Sequence, residues 1–263
     1  MLKIHFRSVG IGDNIILEFP NGRVGIVDCN HCWRECLDFL EGQLHAEELE
    51  FVVGTHPDFD HIRGLQNILE HYEGRVNQFW NSGFVHRTSR YRMLIDYLNV
   101  HPEIRYILPR AGTIFKQGDV IIQVLSPPSP LLRNTLSDIN NASLVLRLEY
   151  TSRFSLLLAA DAQFESWARM VLDYGGQLSS RILKVSHHGS NYGSSLEVLK
   201  RINPEYAVIS VGHHERHQFP HPGVLHFLNI VCPPENILRT DIDGNITFLY
   251  SPTIGLQVLR QQE

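Results

Sequence analysis

One six-residue stretch constrains this chain more than any other. Residues 56–61, HPDFDH, follow the short apolar run 49–53 and precede helical spacing of apolar residues from Ile62 onward. On a strand-to-helix turn the side chains of His56, Asp58, Asp60 and His61 can converge on one point, which no straight strand or helix allows. Carboxylates this close together need a cation, and imidazole and carboxylate are common ligands of divalent metals. The run predicts a metal site at a strand end rather than an ordinary acidic turn with incidental histidines.

Two later strands end in side chains of the same kind. The apolar run 155–160 ends in Asp161, and the run 182–185 leads into Ser186, His187 and His188. Alone, Asp161 could be the N-cap of a following helix and the histidines could be a surface pair. Together with residues 56–61 they indicate a two-metal site at the edge of a sheet.

The order of strands and helices indicates the fold class. The pair Asn21-Gly22 between two β-rich runs predicts a hairpin near the start of the chain. Further strands are predicted at 49–53, 76–80, 105–108, 120–125, 143–149, 154–159, 181–185, 206–211 and 246–250, and helices at 33–41, 89–98, 163–174 and 194–202. Early hairpins followed by alternating strands and helices predict an α/β protein with sheets covered by helices, in one domain over residues 1–263.

Composition excludes several classes of protein. The 263 residues carry 23 Lys+Arg against 28 Asp+Glu, so the overall charge indicates neither a nucleic-acid nor a membrane partner. No signal peptide and no apolar stretch of about 18 residues is present, and we expect a soluble, cytoplasmic protein without a membrane partner. Three of the four cysteines lie at 29, 32 and 36; they could bind zinc, but we favour small buried side chains at the start of a helix because a second ligand pair is missing.

The set of motifs resembles a known family. They are VGIGD (9–13), HPDFDHIRGL (56–65), NNASLVL (140–146), LLLAAD (156–161), LKVSHHGS (183–190), ISVG (209–212) and His221-Pro222. In this order they are similar to the metallo-β-lactamase superfamily and, more narrowly, to the metallohydrolase domain of ComEC-type competence proteins. The resemblance covers about residues 3–250. It implies an αββα sandwich, with two mixed β-sheets flanked by helices and the metals at one edge.

The resemblance also implies a role for each matching residue. His56 and Asp58 would hold the first of two divalent metal ions, Asp60, His61 and His187 the second, and Asp161 would bridge them. The choice between His187 and His188 as the ligand stays open. The catalytic residues would be Asp60, which orients the attacking hydroxide, and His188 and His221, which bind or protonate the departing oxygen. The residues expected to bind substrate are Asn141, Gly189, Ser190 and His221. The N–H groups near Ser194 and Ser195 could hold a phosphate, or these residues could simply begin a helix.

Two departures from the commoner pattern bear on the metal. Asp58 stands where the superfamily motif HxHxDH has its second histidine, and Asn140-Asn141 lie where many members supply a third. Oxygen donors make the first site harder and favour Mn²⁺ or Mg²⁺ over Zn²⁺. The ComEC-type resemblance implies Mn²⁺-dependent nuclease activity. Two such ions about 3.5–4 Å apart would lower the pKa of a water between them and hold the attacking and leaving oxygens.

The substrate is the least determined part of the prediction. Residues 84–116 hold six basic side chains, with Tyr91 and Tyr97 among them, which could contact nucleic acid or could be a solvated helix face. The loop 213–217, HHERH, could line the cleft or be an exposed turn. We expect a phosphodiesterase or nuclease acting on a nucleic acid or nucleotide. The alternatives are a hydrolase of carboxylic esters, thioesters or lactams and a non-catalytic scaffold of the same fold. Competence proteins join this domain to a membrane channel that the sequence does not contain, so the resemblance does not extend to DNA uptake, and no pattern identifies a protein partner.

Overall fold

Two β-sheets form the centre of the molecule. In the computed structural model, residues 1–212 and 218–261 are described. The first sheet has the order β15-β14-β1-β2-β3-β4-β5-β6. Its strands are β1 Leu2–Phe6, β2 Asn14–Glu18, β3 Val24–Cys29, β4 Phe51–Gly54, β5 Gln78–Asn81, β6 Arg105–Ile107, β14 Asn245–Ser251 and β15 Gly255–Gln261. The strands from β3 to β6 are parallel to one another, and the other neighbours are antiparallel, so the sheet is mixed.

The second sheet comes from the later part of the chain. It has the order β13-β12-β11-β10-β9-β8-β7. Its strands are β7 Ile114–Gln117, β8 Val120–Ser126, β9 Val145–Tyr150, β10 Phe154–Leu158, β11 Ile182–Lys184, β12 Tyr206–Ile209 and β13 Ile237–Arg239. The strands from β10 to β13 are parallel, and those from β7 to β10 are antiparallel. In each sheet, several neighbouring parallel strands therefore have their carboxyl ends on the same side.

Helices cover the outer face of each sheet. They are α1 Trp33–Gly42, α2 Phe59–Ile62, α3 Leu65–His71, α4 Ser89–Val100, α5 Phe164–Tyr174, α6 Leu196–Ile202, α7 Pro222–Val231 and α8 Thr240–Asp243. One apolar core lies between the sheets, a second packs α1, α3 and α4 on the first sheet, and a third packs α5, α6 and α7 on the second. The expected αββα sandwich of two mixed sheets flanked by helices is confirmed.

Most predicted elements are present, with ends shifted by a few residues. The helix α7 was not predicted, because its residues 224–231 read as a nearly continuous apolar run without helical spacing. The edge strands β7 and β13 and the last strand β15 were not predicted either. No helix in the described part of the chain is long and apolar enough to span a membrane. The four cysteines are free thiols, and none belongs to a group of metal-ligand atoms within residues 1–212 and 218–261.

Candidate metal centre

The HPDFDH run lies where the parallel strand β4 of the first sheet ends. The run leaves the sheet after Gly54, and α2 begins at Phe59 with Asp58 as its N-terminal flanking residue. The turn packs tightly against the end of β3: a Cβ on Gly64 would lie 2.3 Å from the backbone oxygen of Asn30. The predicted strand-to-helix turn is thus present, and Gly64 lets it lie against its neighbouring strand.

The second sheet supplies the opposing side chains. Asp161 follows β10, after Ala160 in the left-handed region (φ 45°), and His187 and His188 follow β11. Successive side chains of an extended chain point in opposite directions. Both histidines instead have left-handed φ values, 50° and 52°, and this backbone lets both imidazoles approach Asp161. Such conformations are unfavourable for residues with a Cβ and collect at functional sites.

One group of ligand atoms surrounds Oδ2 of Asp161. The Nε2 atom of His56 lies 3.8 Å from this oxygen, and the Nε2 atom of His187 lies 3.7 Å from it. Asp58 Oδ2 is 3.5 Å from His56 Nε2. These separations suit atoms that share one ion, because ligands about 2.0–2.2 Å from a metal lie about 3–4 Å from one another.

A second group surrounds the other oxygen of the same carboxylate. His61 Nε2 and His188 Nε2 lie 3.4 and 3.6 Å from Asp161 Oδ1 and 3.3 Å from each other. Asp60 Oδ2 is 3.4 Å from His188 Nε2. Asp161 therefore faces both groups, one with each oxygen.

Two of the atoms that face the centre lack a hydrogen-bond partner within the described protein. His56 Nε2 and Asp161 Oδ1 are buried and form no hydrogen bond. Buried polar atoms are almost always paired, so these two atoms fit ligands of a cation. The donor set of imidazole and carboxylate, without thiolate, fits a divalent metal ion in each group.

The other nitrogen of each histidine is held from behind. His61 Nδ1 is 2.7 Å from Asp28 Oδ2, and that carboxylate also accepts hydrogen bonds from the Thr55 N–H and hydroxyl. His188 Nδ1 lies 2.8 Å from the backbone oxygen of Ser210, and His187 Nδ1 lies 3.1 Å from Gln163 Nε2. Partners of this kind fix the orientation of metal-binding imidazoles.

Charge in the cluster shifts several pKa values. Burial alone would raise the pKa of Asp161, but the imidazoles of His61, His188 and His187 hold it well below its usual range. Burial would lower the pKa of His61, but Asp161, Asp28 and Asp60 hold it well above its usual value. The pKa of His188 is raised in the same way, chiefly by Asp161, and burial lowers the pKa of His187. The carboxylate of Asp161 and the imidazoles of His61 and His188 therefore favour each other's charged form.

A third group of carboxylates lies deeper, behind His61. Asp13 and Asp28 approach His61 Nδ1 at 3.8 and 2.7 Å. The ammonium of Lys184, which is fully buried, lies 2.5 Å from Asp13 Oδ2, 3.3 Å from the Ala160 oxygen and 3.8 Å from Asp161 Oδ1. A side-chain cation thus already occupies the space that these carboxylates would offer to a metal.

Other predicted site residues lie outside these groups. His221 is exposed and begins α7, where its Nδ1 accepts a hydrogen bond from the Gly223 N–H. The Asn141 oxygen accepts hydrogen bonds from the N–H groups of Gln163 and Ser166 at the start of α5. Gly189 and Ser190 are buried directly after the histidine pair. Their roles in substrate binding, and that of His221 in catalysis, stay predictions. The loop 213–217 lies outside the described residues.

The next helix is α6, and its N-cap is Ser195, whose side chain accepts a hydrogen bond from the Val198 N–H. Ser194 is buried, and its hydroxyl has no hydrogen-bond partner among the described residues. Asp13, Asp28 and Lys184 were not identified from the sequence. The motif that contains Asp13 had been noted without a role, Asp28 read as the end of a strand, and Lys184 read as part of the strand before the histidines.

Comparisons with known proteins agree with this fold and site. No protein-family model matches the sequence. The structure is similar to a metallo-β-lactamase fold protein, YhfI from Bacillus subtilis, with a TM-score of 0.57 and 12% identity over 91% of this chain and 96% of that one. The chain therefore has the metallo-β-lactamase fold, and its cluster is of the type that suits a metal-dependent hydrolase.

Within that class the resemblance to the competence proteins is confirmed. The sequence is 29% identical to ComE operon protein 3 of Bacillus subtilis (strain 168) over 96% of this chain and 34% of that protein. It is 34% identical to competence protein ComA of Neisseria gonorrhoeae over 45% of this chain and 17% of that protein. The chain thus spans about a third or less of the length of these two relatives.

Proposed function

We propose that the protein is a phosphodiesterase, and more narrowly a nuclease, that uses two divalent metal ions. The observation that carries the proposal is the pair of ligand groups on the two oxygens of Asp161. We assign His56, Asp58, His187 and Asp161 to one ion and Asp60, His61, His188 and Asp161 to the other. This assignment places His188 among the ligands and moves His187 to the first ion.

The choice of metal follows from the donors. Each group combines two imidazole nitrogens with two carboxylate oxygens. In the commoner motif a histidine stands in place of Asp58, which belongs to the first group. Carboxylate oxygens suit Mn²⁺, whereas an imidazole-rich set suits Zn²⁺. We infer Mn²⁺ as the preferred ion, with Zn²⁺ as the alternative.

The exposure of the ligands gives the direction of substrate approach. The side chains of His56 and His61 are fully buried, whereas those of Asp58 and Asp60 are 36% and 35% exposed. A substrate therefore approaches past the two aspartates of the HPDFDH turn. Two divalent ions would supply the charge that polarises a phosphoryl oxygen and acidifies a water. Asp60, at the mouth, would accept a hydrogen bond from that water and orient it.

A groove near the same sheet edge supports a polynucleotide substrate. This basic groove, of about 420 Å³, lies between α4 and the edge strand β6. It is lined by Gly83, Val85, His86, Arg87, Tyr91, Arg92, Ile95, Asp96, Tyr106 and Leu108. Gly83 and Leu108 follow the carboxyl ends of β5 and β6. The strand β5 pairs in parallel with β4, which leads into the HPDFDH turn, and β6 pairs in parallel with β5. The groove thus opens at the edge where the metal centre lies.

The groove has a net positive charge, because Arg87 and Arg92 line it with the single carboxylate of Asp96. No carboxylate lies within ion-pair distance of Arg87 or Arg92 in the part of the chain that the structure describes. The Tyr106 side chain is 42% exposed and presents an aromatic ring beside them. Phosphates on arginine and bases on an aromatic ring are the contacts by which proteins hold single strands. The basic groove therefore favours a polymer over a small ester.

The experiment compares substrate classes on one preparation. Purified protein loaded with Mn²⁺ is incubated with single- and double-stranded DNA, RNA, bis(p-nitrophenyl) phosphate, a thioester and a lactam. We expect cleavage of the phosphodiesters, lost in Asp60→Ala and retained in the exposed control Asp38→Ala. Turnover of the thioester or lactam without cleavage of any phosphodiester would overturn the proposal.

A further inference from the structure

The buried ion pair between Lys184 and Asp13 has no part in the metal ligation assigned above. Lys184 is the last residue of β11, and Asp13 lies in the turn before β2, so the pair joins the two sheets behind the metal centre. Both side chains are almost completely inaccessible to solvent. Burying two charges is costly and an apolar pair of similar volume is often as stable, so stability alone is a weak reason for this pair.

The ammonium also contacts the residues that present the bridging carboxylate. Lys184 Nζ lies 3.3 Å from the backbone oxygen of Ala160, which has a left-handed φ of 45°, and 3.8 Å from Asp161 Oδ1. It therefore approaches the same Asp161 oxygen that the Nε2 atoms of His61 and His188 approach. One positive group thus anchors both the backbone turn and the oxygen that faces the second group of ligands.

The charges of the whole cluster agree with this role. The carboxylates of the two ligand groups and of the layer behind them are those of Asp13, Asp28, Asp58, Asp60 and Asp161. Two divalent ions carry four positive charges, and neutral imidazoles add none. The Lys184 ammonium supplies the fifth. It is also the only Lys or Arg within ion-pair distance of these five carboxylates among the residues that the structure describes.

We propose that Lys184 is a positioning residue that acts as a fixed third cation, holding Asp161 in the orientation that bridges two metal ions, with Asp13 as its anchor. The inference rests on the two-metal centre of the proposed function, but not on the identity of the substrate. It gives the VGIGD turn a role, which is to position Asp13 beside the Lys184 ammonium. A purely structural pair, which only ties the turn to β11, is the competing explanation.

The test removes the pair without leaving an unpaired buried charge. Lys184→Met alone would leave Asp13 uncompensated and could fail to fold, so the main variant is Asp13→Leu/Lys184→Met, which replaces the pair by apolar side chains. The second variant is Asp13→Asn, which keeps the shape and removes the anchor's charge. Lys200→Met, on an exposed position of α6, is the matched control.

The measurements are Mn²⁺ titration calorimetry and electron paramagnetic resonance of the fully loaded protein. Wild type and Lys200→Met should bind two ions and give the spectrum of a spin-coupled pair. We expect both pair variants to bind the second ion about 10–100-fold more weakly, the usual cost of losing a partner behind a ligand, and to lose the coupled spectrum. Circular dichroism checks that they are folded.

Two results would separately contradict the role given to the Lys184–Asp13 pair and the metal centre itself. Folded pair variants that bind two ions with wild-type affinity and give the coupled spectrum would show that the pair is structural only. A wild-type protein that binds no pair of ions would instead overturn the metal centre on which the proposed function stands. Neither result depends on whether a phosphodiester is cleaved, so the failure of the inference and that of the substrate assignment are distinguishable.

Discussion

The carboxylate of Asp28 accepts three hydrogen bonds, from the N–H and hydroxyl of Thr55 and from His61 Nδ1. It holds the first residue after β4 and a ligand imidazole in one arrangement. As an acceptor it also favours a proton on His61 Nδ1, which directs Nε2 toward Asp161. A residue outside the proposed ligand set thus fixes the direction of a proposed ligand.

Replacing Asp28 should therefore weaken metal binding. In Asp28→Asn the side-chain amide can satisfy only some of these donors, because one of its two polar atoms is itself a donor. We expect the affinity for Mn²⁺ to fall by about 10–100-fold. Titration calorimetry measures this, with Asp38→Asn on the exposed face of α1 as the control. Equal affinities in wild type and Asp28→Asn would contradict the role given to Asp28.

At the scale of single residues, the sequence predicted which side chains could bind a metal better than it predicted what those side chains contact. His56, Asp58, Asp60 and His61 were predicted as one cluster, because density of ligand side chains on a turn is visible in the sequence. The roles of His187 and His188 were not separable, since only the left-handed backbone shows that two successive imidazoles face the same carboxylate. Lys184 could not be found, because a lysine inside an apolar strand looks the same whether its ammonium reaches solvent or an interior carboxylate.

At the scale of elements, Asn141 connects the short 3₁₀ turn Asn140–Ala142 to the start of α5. Its oxygen accepts from two N–H groups of that helix start, and its amide nitrogen donates to Glu165 Oε2. The first N–H groups of a helix have no partner inside the helix. Asn141 supplies one from a different part of the chain.

Asn141→Ala should destabilise the fold without affecting the metals. The loss of the acceptor leaves buried N–H groups unpaired, and we expect the free energy of unfolding to fall by about 1–3 kcal/mol. Urea unfolding measures the change, with the exposed Asn99→Ala on α4 as control. An unchanged unfolding midpoint together with a raised KM would instead support the substrate-binding role predicted from the sequence.

The basic groove between α4 and β6 gives a second prediction for elements. In Arg87→Ala/Arg92→Gln two of the proposed phosphate contacts would be lost, so the KM for a single-stranded oligonucleotide should rise about tenfold. The slope of log Kd against log salt should decrease by about 1.4, which is 0.7 per contact. Cleavage of bis(p-nitrophenyl) phosphate should not change, because it needs no groove.

The matched control for the groove is Arg153→Ala/Lys200→Ala, which removes two exposed charges elsewhere. Equal changes in the KM of both double variants would contradict a role of the groove in binding the oligonucleotide. So would equal effects on the small phosphodiester and the oligonucleotide. Circular dichroism is needed here because Arg92 also donates to the Arg87 backbone oxygen.

The elements that sequence patterns predicted best are those with one buried and one exposed face. The helices α1, α4 and α5 show helical spacing of apolar residues, and their positions were predicted closely. By contrast, α7 is apolar on nearly all sides, and buried and exposed residues alternate only weakly along the edge strand β7. Periodicity fails where burial does not distinguish two faces.

At the scale of the whole molecule, the metal centre joins the two sheets. The HPDFDH turn follows β4 of the first sheet, whereas Asp161 and the histidine pair follow β10 and β11 of the second. Hairpins and alternation predicted sheets covered by helices, but not that two sheets face each other. That arrangement followed from the family resemblance, because spacing along the chain does not reveal which sheet a strand joins.

Metal binding should therefore raise the stability of the whole fold. Ions that bind only the folded chain stabilise it by about 2.7 kcal/mol when the free concentration is 100-fold above Kd. We expect the thermal midpoint to rise with Mn²⁺ concentration and to fall on chelation. The rise should be much smaller in Asp161→Asn, which lacks the shared carboxylate. A midpoint independent of Mn²⁺ in wild type would show that the sheets are joined without the ions.

The position of the ligands along the chain has a consequence during synthesis. The first four ligands are translated by residue 61, but the bridging carboxylate comes 100 residues later and the histidine pair follows at 187 and 188. The strand β14, which pairs with β1 at the start of the chain, comes later still. A nascent chain that ends before Asp161 therefore holds only the four proposed ligands of the HPDFDH turn. The proposed hydrolytic activity therefore requires synthesis to have passed the histidine pair and β14, and shorter nascent chains would not cleave the nucleic acid around them.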